Sequence, residues 1–351
     1  MASADRNRHD DVGRAALRVL RYAVPLLVSA LLVVWLLHKV DLRQVGVIVR
    51  QGVDYRFIAA MMAVTVLSHC IRGVRWGIQL RAAGVPRMPV TAECVSILGA
   101  YALNLVFPFA GEAWRCVYVT RREHVPLSTV VGTDIGDRAT DGLVIGLLIA
   151  LTLVVAHPAI ARFLDRYPLG ETLERYSSDG VLLVWIAVAA AVVLAAVFVF
   201  RRTAFVRGIL RSLGRMWQGF AVLFRMKGRV LYAVLTIGIW TCYFSETYLC
   251  FYAFPFTREL ITQPGSCWGL IPGLLVFVFG SCSMIVPSNG GLGPWNIAVM
   301  FALTLCGVGS TDAAAYSIVC WSFQSATLVA AGIFSAIYVM KGVPSKERRS
   351  G

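Results

Sequence analysis

Residues 260–310 read LITQPGSCWGLIPGLLVFVFGSCSMIVPSNGGLGPWNIAVMFALTLCGVGS, without a single Asp, Glu, Lys or Arg. A helix needs only about 20 predominantly apolar residues to cross a bilayer. The stretch is too long for one helix and is interrupted by the Gly/Pro cluster at 287–294, so it reads as two segments. Residues 313–340 form another charge-free run. The fold class that follows is all-α and polytopic.

The remaining apolar runs are 22–37, 57–71, 94–111, 142–161, 180–200 and 230–245. Composition agrees, since 58% of the 351 residues are hydrophobic and 15% are charged. Mean hydropathy is +0.71, whereas soluble domains are roughly half apolar and one quarter charged. A soluble fold cannot hide that much apolar surface. The net charge of +14 raises the question of nucleic acid, but the basic residues sit between apolar runs and no soluble domain presents a groove. No nucleic-acid partner is expected; basic loops set topology instead.

Residues 201–229 carry Arg201, Arg202, Arg207, Arg211, Arg215, Arg225, Lys227 and Arg229 with no acid, which predicts a cytoplasmic loop. The tail with Lys341, Lys346, Arg348 and Arg349 is expected on the same side, and the acidic stretch with Asp165, Glu171, Glu174 and Asp179 on the other. Residues 1–21 are polar and of mixed charge, unlike a signal peptide, so 22–37 is read as a retained span. Two cytoplasmic termini require an even number of crossings, yet nine runs are present. The run 94–111, flanked by basic residues on both sides, is therefore read as a re-entrant hairpin or broken helix. The expectation is about eight crossings plus re-entrant segments in one domain, 22–340, with cytoplasmic tails at 1–21 and 341–351.

Two motifs break the apolar pattern. In the first, YALNLVFPFAGEAWR at 101–115, Asn104 precedes a stop at Pro108 and Gly111, followed at once by Glu112 and Arg115. Those two charges are three apart and share a helix face. In the second, PSNGGLGPWN at 287–296, Asn289 leads into Gly290, Gly291 and Gly293, and Pro294 suits the first turn of a new helix. About half the chain separates the motifs, as an internal, inverted repeat would have it. Paired Gly/Pro-interrupted segments mark the binding sites of transporters, where half-helix N-termini meet an anionic group. Ordinary breaks between spans give the same spacing, and both readings stand at this point.

Asp134, Asp137, Arg138 and Asp141 have helical spacing that puts Arg138 on one face with Asp134 and Asp141. The cluster reads either as a cytoplasmic helix end or as a polar site dipping in beside Arg115. Glu246 stands alone in the apolar stretch 230–254 and reads as facing a cavity or lying near the far interface. His69, His124 and His157 are isolated and read as structural or interfacial. The nine cysteines have no CxxC or Cys/His spacing, so no metal, cofactor or disulfide framework is expected.

The residues Asn104, Pro108, Gly111, Glu112 and Arg115, the DRATD stretch with Arg138 and Asp141, and VPSNGGLG at 286–293 resemble the lysylphosphatidylglycerol synthase transmembrane family of flippase-like proteins. The resemblance runs over roughly residues 20–340. It departs from that family in two respects: no soluble domain of the kind that makes aminoacyl-lipid is present in the sequence, and Trp295 follows the glycine motif where many relatives carry a charge. Lipid synthesis is not implied. Translocation of an anionic lipid or lipid-linked substrate, such as a phospholipid or polyprenyl phosphate, is implied, in a bacterial cytoplasmic membrane.

The substrate-binding set expected from these readings is Asn104, Pro108, Glu112, Arg115, Arg138, Asp141, Glu246, Asn289, Gly290, Gly291 and Gly293. Arg115 or Arg138 and the backbone N–H groups of 289–293 would hold a phosphate, and the acids would balance the charge. No enzymatic reaction is expected, and assembly as a homo-oligomer is compatible with the sequence. The alternative is an intramembrane enzyme or accessory subunit of lipid or glycan assembly.

Overall fold

The computed structural model describes residues 42–156, 228–286 and 288–342. The expected spans 22–37 and 180–200, the segment 1–21, the acidic stretch after His157, most of the basic loop and Pro287 lie outside the described residues, as do positions 343–351.

Ten helices account for most of what is described: α1 Leu42–Gln51, α2 Tyr55–Ala82, α3 Val90–Val106, α4 Ala110–Glu123, α5 Leu127–Val155, α6 Arg229–Ala253, α7 Pro255–Thr262, α8 Leu270–Ser283, α9 Pro294–Leu305 and α10 Ser310–Gly342. Four of them, α2, α5, α6 and α10, are long and apolar enough to cross a membrane. The chain is an all-α, polytopic membrane protein, as its charge-free runs require.

Local chemistry sets the helix ends. Asp54 caps α2, its carboxylate accepting from the Arg56 amide at 3.1 Å. Pro126 immediately precedes α5. Pro294 opens α9, where its missing N–H costs nothing.

Motif one breaks where its proline stands. Helix α3 ends at Val106, Phe109 takes a left-handed conformation (φ 64°), and α4 starts at Ala110. The second helix doubles back along the first: a Cβ on Gly111 would lie 2.0 Å from the Ala100 carbonyl oxygen, and one on Gly99 would lie 2.6 Å from the Trp114 ring. The run 94–111 therefore belongs to a helical hairpin, α3–α4, as its basic flanks had indicated.

The stretch 260–310 forms two segments, as expected, but neither is long enough to cross unaided. Helix α8 has 14 residues and α9 has 12, about 21 Å and 18 Å at 1.5 Å per residue, against a hydrocarbon core of about 30 Å. They too lie antiparallel. Gly280 abuts Trp295 and Val299, and Gly291 abuts Met284 and Trp295. The glycine/proline cluster is the bend of a second hairpin.

Both halves thus share one order: long helix, short hairpin, long helix. The leading helices, α2 and α6, run antiparallel, since Asp54 bonds to Ala253, Ser68 to Glu246 and Gln79 to Tyr232. Equivalent helices of opposite direction make the repeat an inverted one. Consequently the hairpins enter from opposite ends. The open end of α3–α4 lies beside the end of α10, where Thr91 meets Tyr338, whereas the bends of the two hairpins meet in the middle.

Candidate functional site

At the meeting point, the Gly290 amide donates to the Asn104 carbonyl at 3.2 Å and the Asn289 side-chain amide donates to the Val106 carbonyl at 2.8 Å. The Trp321 indole, from α10, donates to the Gly290 carbonyl at 2.8 Å. Contact this close needs glycine. Gly290 sits at φ +57°, and a Cβ there would lie 2.4 Å from Leu105 Cδ2.

Asn104 also builds the first bend. Its carbonyl oxygen Oδ1 accepts from the Gly111 amide at 2.8 Å, and its Nδ2 donates to both Glu112 oxygens at 3.1 and 3.2 Å. Glu112 pairs in turn with Arg138 of α5. That ion pair replaces the partnership expected between Arg138 and its neighbours Asp134 and Asp141, because α4 lies alongside α5 and presents its first turn to it.

The three aspartates of α5 have other partners. Arg72, Arg75 and Arg115 meet Asp134, Asp137 and Asp141 in one buried network. Arg75 reaches Asp137 at 2.6 Å and Asp141 at 2.8 Å, while Arg72 and Arg115 approach Asp137 at 3.6 and 3.7 Å. Arg72 also pairs with Asp141, and Arg115 with Asp134. Three cations face three anions, which offsets part of the cost of burying them. Rings cover the guanidiniums: Trp76 lies 4.6 Å from Arg115, and Tyr232 5.4 Å from Arg75.

A cavity of about 610 Å³ opens between the halves, beside both bends. That size is typical of sites for small ligands and headgroups, about 300–1,000 Å³. Of the expected binding residues, Asn104, Pro108, Glu112, Arg138, Asp141 and Glu246 line it, together with Gly290 and Gly291. Apolar side chains, including Met61, Leu105, Phe277 and Leu328, share the wall with further polar groups such as His69, Arg72 and Gln324.

Three expected residues are placed elsewhere. Arg115 is 1% exposed and does not line the cavity; the aspartates of α5 hold it in the protein interior. Asn289 and Gly293 do not line it either. Four amides of the glycine turn have partners within the protein. Those of Gly290, Leu292 and Trp295 donate to carbonyls, and that of Gly293 donates to Asn296 Oδ1 at 3.1 Å. The Gly290 amide docks one hairpin on the other, and the remaining three shape the turn itself.

Glu246 faces the cavity rather than an interface. It is 6% exposed, and its carboxylate accepts from Ser68 Oγ at 3.1 Å and Gln324 Nε2 at 3.0 Å. It has no cationic partner within ion-pair distance among the described residues. His69 Nε2 and the Trp240 indole nitrogen, on neutral side chains of the wall, are also buried with no hydrogen-bond partner among the described residues. An orphaned indole N–H is a donor that a ligand oxygen would satisfy.

A family model described as Lysylphosphatidylglycerol synthase TM region matches residues 22–332. The chain belongs to that family. No curated protein and no solved structure matches it significantly. Membership in the lysylphosphatidylglycerol synthase transmembrane family makes this a multi-pass membrane protein related to lipid handling, matched over that family's membrane region.

Reading the sequence passed over Arg72, Arg75, Trp240 and Tyr243. Arg72 and Arg75 follow directly on the charge-free run 57–71 and lie inside the same 28-residue helix. Their signal was the spacing: two arginines three apart, on the face of a continuous apolar helix, facing a second helix that carries acids at the same interval. His69, read as isolated, is one of the cavity's polar groups.

Proposed function

We propose that this protein binds an anionic lipid or lipid-linked substrate by its headgroup in the cavity between the two hairpin bends and translocates it across the bilayer. The observation that carries the reading is the cavity itself: a charged, partly unsatisfied pocket enclosed by helices whose other surfaces are apolar. Arg138, its side chain 43% exposed beside Glu112, supplies the mobile positive charge. The Trp240 N–H supplies a neutral donor. Acyl or prenyl chains remain among the lipid-facing side chains. Glu112 and Asp141 hold the arginines in place and keep the empty site near neutrality.

The inverted halves support movement rather than static binding. Rocking one half against the other around a fixed site exposes that site to each face in turn, and breaks in the helices near mid-membrane are where such sites form. The same reading places the chain in a bacterial cytoplasmic membrane with both termini cytoplasmic. Arg81, Arg87, Arg121, Arg122 and Lys341 cluster at the end where Thr91 meets Tyr338, in keeping with the excess of Lys and Arg in cytoplasmic loops.

Vesicles of phosphatidylethanolamine and phosphatidylglycerol containing the purified protein, with acyl-labelled phosphatidylglycerol or a labelled polyprenyl phosphate as reporter, test the proposal through membrane-impermeant quenching. Wild type accelerates transfer of one of these reporters between leaflets, while Glu112→Gln and Arg138→Ala fold normally and do not. Equal transfer by all three proteins and by protein-free vesicles overturns it. The competing reading, an enzyme or accessory subunit of lipid or glycan assembly, requires the reporter to change in mass during the same incubation.

A further inference from the structure

The acids around the cavity are not equivalent. Glu112 has Arg138, and Asp141 has Arg72 and Arg75. Among the described residues Glu246 has no cationic partner and accepts from neutral donors, Ser68 and Gln324 among them. With every group ionised, the cavity and the arginine–aspartate network behind it hold, among the described residues, four cations (Arg72, Arg75, Arg115 and Arg138) and five anions (Asp134, Asp137, Asp141, Glu112 and Glu246). The excess is one negative charge, at Glu246. A proton on that carboxylate cancels it, and an unpaired charge at this depth is what a membrane protein retains for function.

Glu246 lines the cavity, and a hydrogen-bonded path also joins its carboxylate to a second group of the wall, His69. His69 Nδ1 lies 2.7 Å from the Thr65 carbonyl oxygen and 3.2 Å from Ser68 Oγ. A carbonyl only accepts, so Nδ1 carries the proton and Nε2 presents a lone pair. That Nε2 is buried without a partner among the described residues, on a side chain that lines the cavity and is 3% exposed. Ser68 Oγ lies 2.8 Å from the Thr65 carbonyl oxygen and 3.1 Å from Glu246 Oε1, so its one proton has two acceptors; turned to the carboxylate, with Nδ1–H at its lone pair, it links His69 to Glu246.

We infer that His69, Ser68 and Glu246 form a proton relay whose loading and unloading is coupled to headgroup movement. It rests on the transport reading above and deepens it. A proton from the cavity binds His69 Nε2, Nδ1–H passes to Ser68 Oγ, and the Ser68 hydroxyl proton passes to Glu246. The imidazole ends neutral with its proton on Nε2, the serine is regenerated, and one carboxylate becomes a carboxylic acid. Release reverses each transfer, and no electrons move.

Glu246 itself lines the cavity, and the groups packed around it come from its own helix and from α2, α3, α8 and α10. From α2 come Thr65, Ser68 and His69, with Arg72 one turn on but engaged by Tyr243, Asp141 and Asp137. Its own helix α6 contributes Cys242, Tyr243 and Cys250; α3 contributes Tyr101, against whose ring His69 packs edge-on at 4.3 Å. From α10 come Gln324, which holds the second carboxylate oxygen, and Tyr316 and Cys320, which share the cavity wall. From α8, Phe277 and Gly280 line the same wall and carry no charge.

Infrared difference spectra of the purified protein between acid and alkaline buffers read the carboxyl directly. A carboxylic-acid carbonyl band is expected that is lost in Glu246→Gln, shifts in Ser68→Ala, and is restored to its original position in Ser68→Thr. In phosphatidylethanolamine/phosphatidylglycerol vesicles, an imposed pH gradient drives reporter accumulation in wild type, and Glu246→Gln and Ser68→Ala lose this drive. Absence of a Glu246 band, or a band indifferent to both Ser68 variants, overturns the relay even where lipid transfer is intact. The band with no lipid transfer by wild type removes the transport reading and, with it, the coupling.

Discussion

The Gly290 amide and the Asn104 carbonyl oxygen, 186 positions apart in the chain and 3.2 Å apart in space, join the bends of two hairpins that enter the protein from opposite ends. The same asparagine uses its side chain to cap Gly111 and hold Glu112. One residue therefore fixes the first bend, positions a cavity carboxylate and docks the second bend. Because these contacts lie at the helix breaks, where backbone groups lack helical partners, they also satisfy atoms that lipid would leave unpaired.

Two glycines at this junction respond differently to an added methyl group. At Gly111 the methyl meets backbone, the Ala100 carbonyl oxygen at 2.0 Å; Gly111→Ala forces α3 and α4 apart, and the expected result is a large loss of thermal stability that no neighbouring truncation repairs. At Gly290 it meets the end of the Leu105 side chain. Adding Leu105→Ala to Gly290→Ala recovers part of the lost stability, the remainder being the strain of φ +57°. Melting of the four variants in detergent provides the double-mutant comparison.

The arginine–aspartate network predicts a stability effect. Asp137 is fully buried and touches three guanidiniums. Asp137→Asn leaves three arginines facing two carboxylates, and breaking a buried pair in this way costs about 3–5 kcal/mol. A depressed melting temperature or failed expression is the expected readout. Arg115→Ala is expected to behave likewise, since Arg115 is 1% exposed and faces Asp134.

Arg138→Ala is expected to do the opposite. Its side chain is 43% exposed, and exposed pairs contribute about 0–1 kcal/mol to stability. Melting therefore changes little while lipid transfer falls. An equal drop in melting temperature for Arg138→Ala and Asp137→Asn would contradict the division between a structural network and a cavity charge.

That division was only partly legible in the sequence. Charge-free runs revealed helices because apolar length is a property of a segment alone. The bends were legible for a related reason: Pro108 and the glycines at 290, 291 and 293 impose local backbone geometry wherever they occur. Partner choice was not. Arg138 lies on a helix with Asp134 and Asp141 at suitable intervals, and only the docking of α4 decides that it pairs with Glu112. Arg115, one helical turn from Glu112, faces the aspartates while Glu112 faces the cavity, a difference of rotation invisible in spacing. Hairpin against span was ambiguous at 260–310, since an apolar run bent in the middle has the composition of two crossings.

Trp240→Phe removes the buried indole N–H and keeps the ring. In the empty protein the substitution is neutral or slightly stabilising, because an unsatisfied donor is lost. In the occupied protein it removes a hydrogen bond, about 0.5–1.5 kcal/mol for a neutral pair and more where the acceptor is charged, so lipid binding weakens several-fold to about tenfold. Thermal shifts measured with and without added phosphatidylglycerol or polyprenyl phosphate separate the two effects.

Native mass spectrometry of gently purified protein tests the central claim most directly, because it identifies the occupant of the cavity without assuming a substrate. Wild type should retain an anionic phospholipid or polyprenyl phosphate at one copy per chain, and Glu112→Gln and Arg138→Ala should lose it while keeping their fold. Retention of the same lipid at the same occupancy by all three proteins, or co-purification of uncharged lipid alone, would contradict a headgroup site between the hairpin bends.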